Sequence, residues 1–165
     1  MIDANDFPNW LTRELKANDA TIIHLFRGTW WPFCVKHIKD LDSLPFDELG
    51  GKRVKIYIIT SQDPVRVKKD VARWKLKNTC ALGDPENIIV NYLKEKYLPD
   101  LVMGKKAGYP NGMVQPAELV FHKNRPIVEW VKHPSLLNFN GAGGRPNVKE
   151  MWKHIVVHLA KDAPA

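Results

Sequence analysis

Apolar residues fall into two rhythms along this chain. Residues 21–26 (TIIHLF) and 53–60 (RVKIYIIT) are nearly continuous apolar runs, the pattern of strands buried on both faces. Elsewhere the spacing is helical. Val35, Ile38, Leu41 and Leu44 follow Cys34; Val67, Val71 and Trp74 lie in a segment running to residue 77; Ile88, Ile89, Tyr92 and Leu93 lead to Tyr97; and Met151, Trp152, Ile155, Val156 and Leu159 form a last stripe. Residues 7–17 (FPNWLTRELKA) predict a lead-in helix. Asp63-Pro64 and Asp84-Pro85 each place a capping carboxylate before a proline, a signal for a helix start. Asn147 with Glu150 gives a capping-box-like start to the last helix.

The remaining segments complete the order. Residues 79–84 (TCALGD) read as a short strand, and 98–114, with Pro, Gly and Lys, as a long loop. Residues 117–121 and 126–131 flank HKNR and predict an antiparallel hairpin. The order is thus α, β-α-β-α, β-α, β-β-α. Strands alternating with helices imply parallel pairing with helices on both faces, and the hairpin adds antiparallel strands. This α/β order is thioredoxin-like: a mixed central sheet with one extra β-α unit, 79–97, before the closing hairpin.

Bulk properties narrow the picture only slightly. A length of 165 residues suits one domain, 1–165, without internal repeats. No apolar run approaches a membrane span, and the first residues lack the pattern of a secretory leader, so the expected location is cytoplasmic. The net charge of +7 comes from basic residues scattered over helix-compatible stretches, which read as solvated faces rather than a nucleic-acid surface. Two cysteines, Cys34 and Cys80, make no disulfide framework, and no Cys/His group has zinc spacing, so neither metal nor cofactor is expected.

Residues 27–34 (RGTWWPFC) join the first strand to its helix. They resemble the Arg-Gly-x-Trp-Cys-Pro-aromatic-Cys signature of peroxiredoxin-like proteins of the alkyl hydroperoxide reductase/thiol-specific antioxidant group, matching at Arg27, Gly28, Trp30, Pro32, Phe33 and Cys34. LGDPEN (82–87), QPAELVF (115–121) and GGRPNVKEM (143–151) resemble further segments of that family, so the likeness spans about residues 20–160. It implies a thiol-dependent oxidoreductase with Cys34 as nucleophile, a hydroperoxide or thiol as substrate, and an external thiol such as glutathione or thioredoxin as reductant; a homodimer stays open. Two departures stand out. Trp31 occupies the place of the signature's first Cys, where peroxiredoxins carry a Thr or Ser three residues before the reactive Cys. Gln115 and Pro116 stand where they carry an Arg.

The residues themselves suggest specific chemistry. A thiol at a strand-to-helix joint, expected here within reach of solvent, meets helix-start N–H groups and the positive end of the helix dipole, which favour its ionised form by about 0.3–1 kcal/mol. Arg27, Lys36 and His37 are nearby cations, and His37, three residues on, could act as base to Cys34. His24 reads as a hydrogen-bonded core group. Trp30, Trp31 and Phe33 could shape an apolar pocket, with Trp31 at an exposed helix start. The resemblance implies a cis proline at Pro116 lying against the thiol, with Gln115 beside it. NFNGAGGRP (138–146) reads as a glycine-rich loop that brings Arg145 to a helix start, where it could meet an anion, and either Arg27 or Arg145 could replace the missing arginine. With no second thiol one turn away, Cys34 needs an external thiol or Cys80 for release. Two other readings remain open: a redox-silent binding module, and a repurposed non-redox enzyme using the pocket around Trp31.

Overall fold

The computed structural model describes residues 3–133 and 145–161. Five helices and seven strands follow in the order α1 (Phe7–Ala17), β1 (Ala20–Leu25), α2 (Pro32–Asp42), β2 (Val54–Thr60), α3 (Pro64–Ala72), β3 (Thr79–Gly83), α4 (Ile88–Lys96), β4 (Met103–Gly104), β5 (Met113–Val114), β6 (Ala117–His122), β7 (Arg125–Val131) and α5 (Val148–Ala160). The main sheet has strand order β3-β2-β1-β6-β7. Strands β1, β2 and β3 run parallel, while β6 is antiparallel to both β1 and β7. The mixed sheet and the extra β3-α4 unit are therefore present. Most of 138–146, the glycine-rich connection, lies outside the described residues.

Strand alternation divides the core in two. From β1, Ile23 and Leu25 join Phe7, Leu11, Tyr57, Ile59, Ile89, Leu93, Leu119 and Phe121 on the face covered by α1 and α4. Ala20 and Ile22 project to the other face, where they meet Cys34, Ile38 and Leu41 of α2, Ile56 and Ile58 of β2, Val120 of β6, and Met151, Trp152, Ile155 and Leu159 of α5. Because side chains alternate along a strand, His24 belongs to this second face. The lining of α2 against the sheet thus mixes aliphatic residues with one thiol and two histidines, His24 and His37.

Several boundaries differ from the pattern-based expectation, each for a local reason. Helix α3 ends at Ala72, not near residue 77: Lys75 is left-handed (φ 54), and Asp42 at the end of α2 accepts hydrogen bonds from Lys77 N and Asn78 N, both at 2.8 Å. Helix α4 starts at Ile88 because Asn87 is left-handed (φ 57). Asp84 still serves that end, accepting from Ile88 N and Val90 N at 2.9 Å each. Segment 98–114 is not merely a loop, since Met103–Gly104 pairs antiparallel with Met113–Val114. Two-residue strands are too short to show a period. On α5, Val156 lies at the edge of the stripe and is exposed.

Gly83, the last residue of β3, allows the sheet to meet the start of α3. A Cβ there would lie 2.5 Å from Gln62 O and 2.6 Å from Pro64 N, backbone atoms that cannot swing aside. Gly83→Ala is expected to destabilise the fold by roughly 1–3 kcal/mol through this overpacking, read as a lowered urea midpoint at unchanged slope.

Candidate active site around Cys34

Cys34 lies in the first turn of α2, completely buried. Trp31 is the N-cap and offers no side-chain cap. Pro32 has no N–H to give, and the N–H groups of Cys34 and Val35 both go to Trp31 O, at 3.0 and 3.2 Å. The helix start therefore offers the sulfur fewer free amides than its position suggests. A guanidinium takes their place. Arg145, just before α5, donates from Nη2 to Cys34 Sγ at 3.2 Å and from Nη1 to Phe33 O at 2.6 Å. Donors of this charged kind bind an anionic acceptor about twice as strongly as neutral ones do.

Other cations gather there. Arg27 donates from Nε to Gln115 Oε1 at 2.9 Å, and its guanidinium lies over the Trp31 ring, 5.3 Å from the centroid. Burial pushes the Arg27 guanidinium below its ordinary value; Cys34 and Arg145 are both near enough to act on it, the first upward and the second downward. Lys132, buried at the end of β7, is likewise pushed down by burial, then by Arg145 and Arg27. Two N–H donors in this group, Trp31 Nε1 and Arg145 Nε, are buried without a partner. Such orphans are uncommon in folded proteins, and each calls for an explanation.

The loop before Cys34 is held from several sides. Thr29 donates from Oγ1 to Asp70 at 2.6 Å, and its N–H to Gln62 at 2.7 Å. Trp30 Nε1 donates to the Tyr109 hydroxyl at 2.7 Å, and that hydroxyl donates to Arg27 O at 3.1 Å. Lys106 sits over the Trp30 ring, 4.4 Å from its centroid. Gly28 is needed for this contact, because a Cβ there would come within 2.5 Å of Trp30 Nε1 and 2.6 Å of the Tyr109 hydroxyl.

A second polar group underlies α2. Register pairs His24 of β1 directly with Glu118 of β6. His24 Nδ1 lies 2.7 Å from Glu118 Oε2, and His37 Nε2 reaches the same oxygen at 3.3 Å. Burial pushes the Glu118 carboxyl up, but the charge and hydrogen bond of His24, with those of His37, outweigh it and hold the group well below the usual carboxylate range.

No family model matches the sequence, and no curated protein matches it. Solved structures do. Reduced Prx3 from Vibrio vulnificus superposes with a TM-score of 0.61 at 12% identity, over 91% of this chain and 86% of that one. AhpC from Enterococcus faecalis gives 0.64 at 11% identity, over 93% and 83%. The antioxidant protein of Plasmodium falciparum, a 1-Cys peroxiredoxin, gives 0.61 at 16% identity, over 86% and 80%. The chain has a peroxiredoxin-like thioredoxin fold. At these identities the agreement is one of architecture, and the chemistry has to come from the residues above.

Within this peroxiredoxin-like fold, Cys34, Arg27, Trp31, Gln115 and Arg145 come together. Arg145 meets Cys34 from 111 positions away. Four expectations need correction. Cys34 is not open to solvent, since Arg145 and the half-buried Trp31 pack over it. Trp31 is not an exposed residue at the helix start: it packs on the core that holds Cys34, with Trp30 and Phe33 at ring distances of 5.5 and 5.6 Å. The shallow cavity beside α2, about 500 Å³, is lined by Thr29, Trp30, Pro32 and Val35 but not by Trp31 or Cys34. Pro116 follows a trans peptide bond, there being no cis bond among the described residues; its carbonyl accepts from Lys132 N at 2.9 Å as the chain enters β6. Finally, His37 turns under the helix to Glu118 rather than bonding to Cys34.

Phe33 is exposed, with its carbonyl as its share in the site. Cys80 is also exposed. It pairs in register with Tyr57, whose side chain faces the α1/α4 core, so Cys80 lies across the sheet from Cys34 and is not placed to reach it. Sequence reasoning missed Tyr109, Lys132 and Glu118. Only Glu118 had a signal: a carboxylate in an otherwise apolar strand is costly unless it faces a partner, and His24 is the matching exception in β1. Among the described residues no helix is long and apolar enough to cross a membrane.

Proposed function

We propose that this protein is a thiol-dependent oxidoreductase that reduces a small hydroperoxide through Cys34. The observation that carries this reading is the hydrogen bond from Arg145 to Cys34 Sγ, in a setting that also holds two unpartnered N–H donors, Trp31 Nε1 and Arg145 Nε. The sulfur attacks one peroxide oxygen and the O–O bond breaks. Cys34 becomes a sulfenic acid, and the thiol's proton ends on the departing alcohol or water. An external thiol then condenses with the sulfenic acid, releasing water and forming a mixed disulfide; a second thiol frees Cys34 and leaves as the disulfide. Arg145 would stabilise charge on sulfur and on the leaving oxygen, and Trp31 Nε1 would donate where the related fold uses a hydroxyl. Burial of the sulfur favours a peroxide no larger than a few atoms over exchange with a protein disulfide.

The same burial supports a second reading, a redox-silent binding module in which Cys34 is a core residue. One experiment separates the two. The folded protein is exposed to one equivalent of hydrogen peroxide, the peroxide is removed, the chain is unfolded in a sulfenic-acid-trapping diketone so that a buried sulfur is reached, and the adduct is located by peptide mass spectrometry. Modification at Cys34 is expected. Modification confined to exposed Cys80, or none, overturns the peroxidase reading and leaves the silent module.

A further inference from the structure

Beneath Cys34 lies a group that the proposed peroxide chemistry does not use. His24, His37 and Glu118 come from β1, α2 and β6, and all three are buried. Each can offer a ligand atom, and these atoms lie within 4.8 Å of one another. Two polar atoms of the group are buried with no partner, Glu118 Oε1 and His24 Nε2. In a purely structural network both would be uncompensated losses. The carboxylate is the more telling. One oxygen serves both imidazoles while the other has no hydrogen-bond partner.

We infer that His24, His37 and Glu118 form a binding site for a divalent zinc-type ion, with Glu118 using both carboxylate oxygens. Two imidazole nitrogens and a carboxylate suit zinc, with metal–ligand distances of about 2.0–2.2 Å. A bidentate carboxylate makes four donor atoms out of three residues and gives Glu118 Oε1 its partner. Ligands drawn from three elements explain why no zinc spacing is visible in the sequence. The ion would tie the helix bearing Cys34 to two central strands. Arg145, close enough to act on His24, works against a dication; the Glu118 carboxylate opposes that repulsion, and Arg145 itself is engaged at Cys34. Because all three ligands are buried, the ion enters as the chain folds. This inference does not depend on the peroxidase reading.

The test uses the whole chain, unfolded and refolded with cobalt(II) or zinc(II), then freed of excess ion on a desalting column. The expected result is one ion retained per chain, with a cobalt spectrum free of thiolate-to-metal charge transfer. Retention should persist in Cys34→Ser and in a His154→Gln/His158→Gln variant, which removes the surface pair of histidines on α5, and should fall at least about tenfold in the near-isosteric Glu118→Gln. If Glu118→Gln fails to fold, X-ray absorption of the wild-type zinc protein decides, with nitrogen and oxygen ligands expected. No retained ion, loss with the α5 histidines, retention unchanged in Glu118→Gln, or sulfur among the ligands overturns the site.

Discussion

Cys34→Ser is expected to abolish peroxide-dependent thiol oxidation, while Cys80→Ser leaves it intact. Serine keeps the size and a hydrogen-bonding atom for Arg145 but cannot form a sulfenic acid. The buried sulfur lies 3.2 Å from Arg145 Nη2, whereas Cys80 is exposed on the edge strand. Arg145→Leu should fall between the two. Removing a charge-stabilising donor from a reacting centre costs on the order of 10²–10³ in rate. Consumption of hydrogen peroxide coupled to an external thiol, followed at several peroxide concentrations, reads all three variants. A Cys34→Ser protein that turns over at the wild-type rate excludes the mechanism. An Arg145→Leu protein with unchanged rate removes Arg145 from it while leaving Cys34 in place.

Glu118→Ala carries the largest expected loss of stability, roughly 2–6 kcal/mol, from leaving two buried imidazoles without their hydrogen-bond partner at about 1–3 kcal/mol each. The reason lies in what is left behind. His24 is fully buried and His37 nearly so, and the carboxylate is the partner to which the structure gives His24 Nδ1 and His37 Nε2. Without it, two imidazoles remain in an apolar layer made by Ile22, Phe26, Ile38 and Val120. Urea unfolding followed by tryptophan fluorescence measures the change. A loss under about 1 kcal/mol would show that the trio is worth no more than an exposed ion pair.

The hydrophobic pattern was enough for the architecture because each element is governed by neighbours in the chain. The run at 21–26 and the helical stripe after Cys34 mark a strand and a helix wherever they occur. Asp63 and Asn147 cap their helices as read, through Val65 N and Arg66 N, and through Lys149 N and Glu150 N. Boundaries failed where a single backbone conformation decided them, as at Lys75 and Asn87. The two-residue pair β4-β5 escaped notice because it is shorter than any period. The candidate site was legible as a set of names. Cys34, Arg27 and Arg145 could be picked out; which of them would meet could not.

By itself the sequence determined the order of the helices and of the five strands of the main sheet, the two-faced core, and the placing of one thiol at the start of α2, since all of these follow from local periodicity and capping. Only the tertiary structure decided that Arg145 closes over Cys34, that Trp31 packs inward, and that His24 and His37 share one carboxylate. Those outcomes depend on strand register and on the packing of α5 against α2, which join residues 81 to 112 positions apart. Contacts at such separations are set by the global packing of layers, and no rule of neighbouring residues contains them.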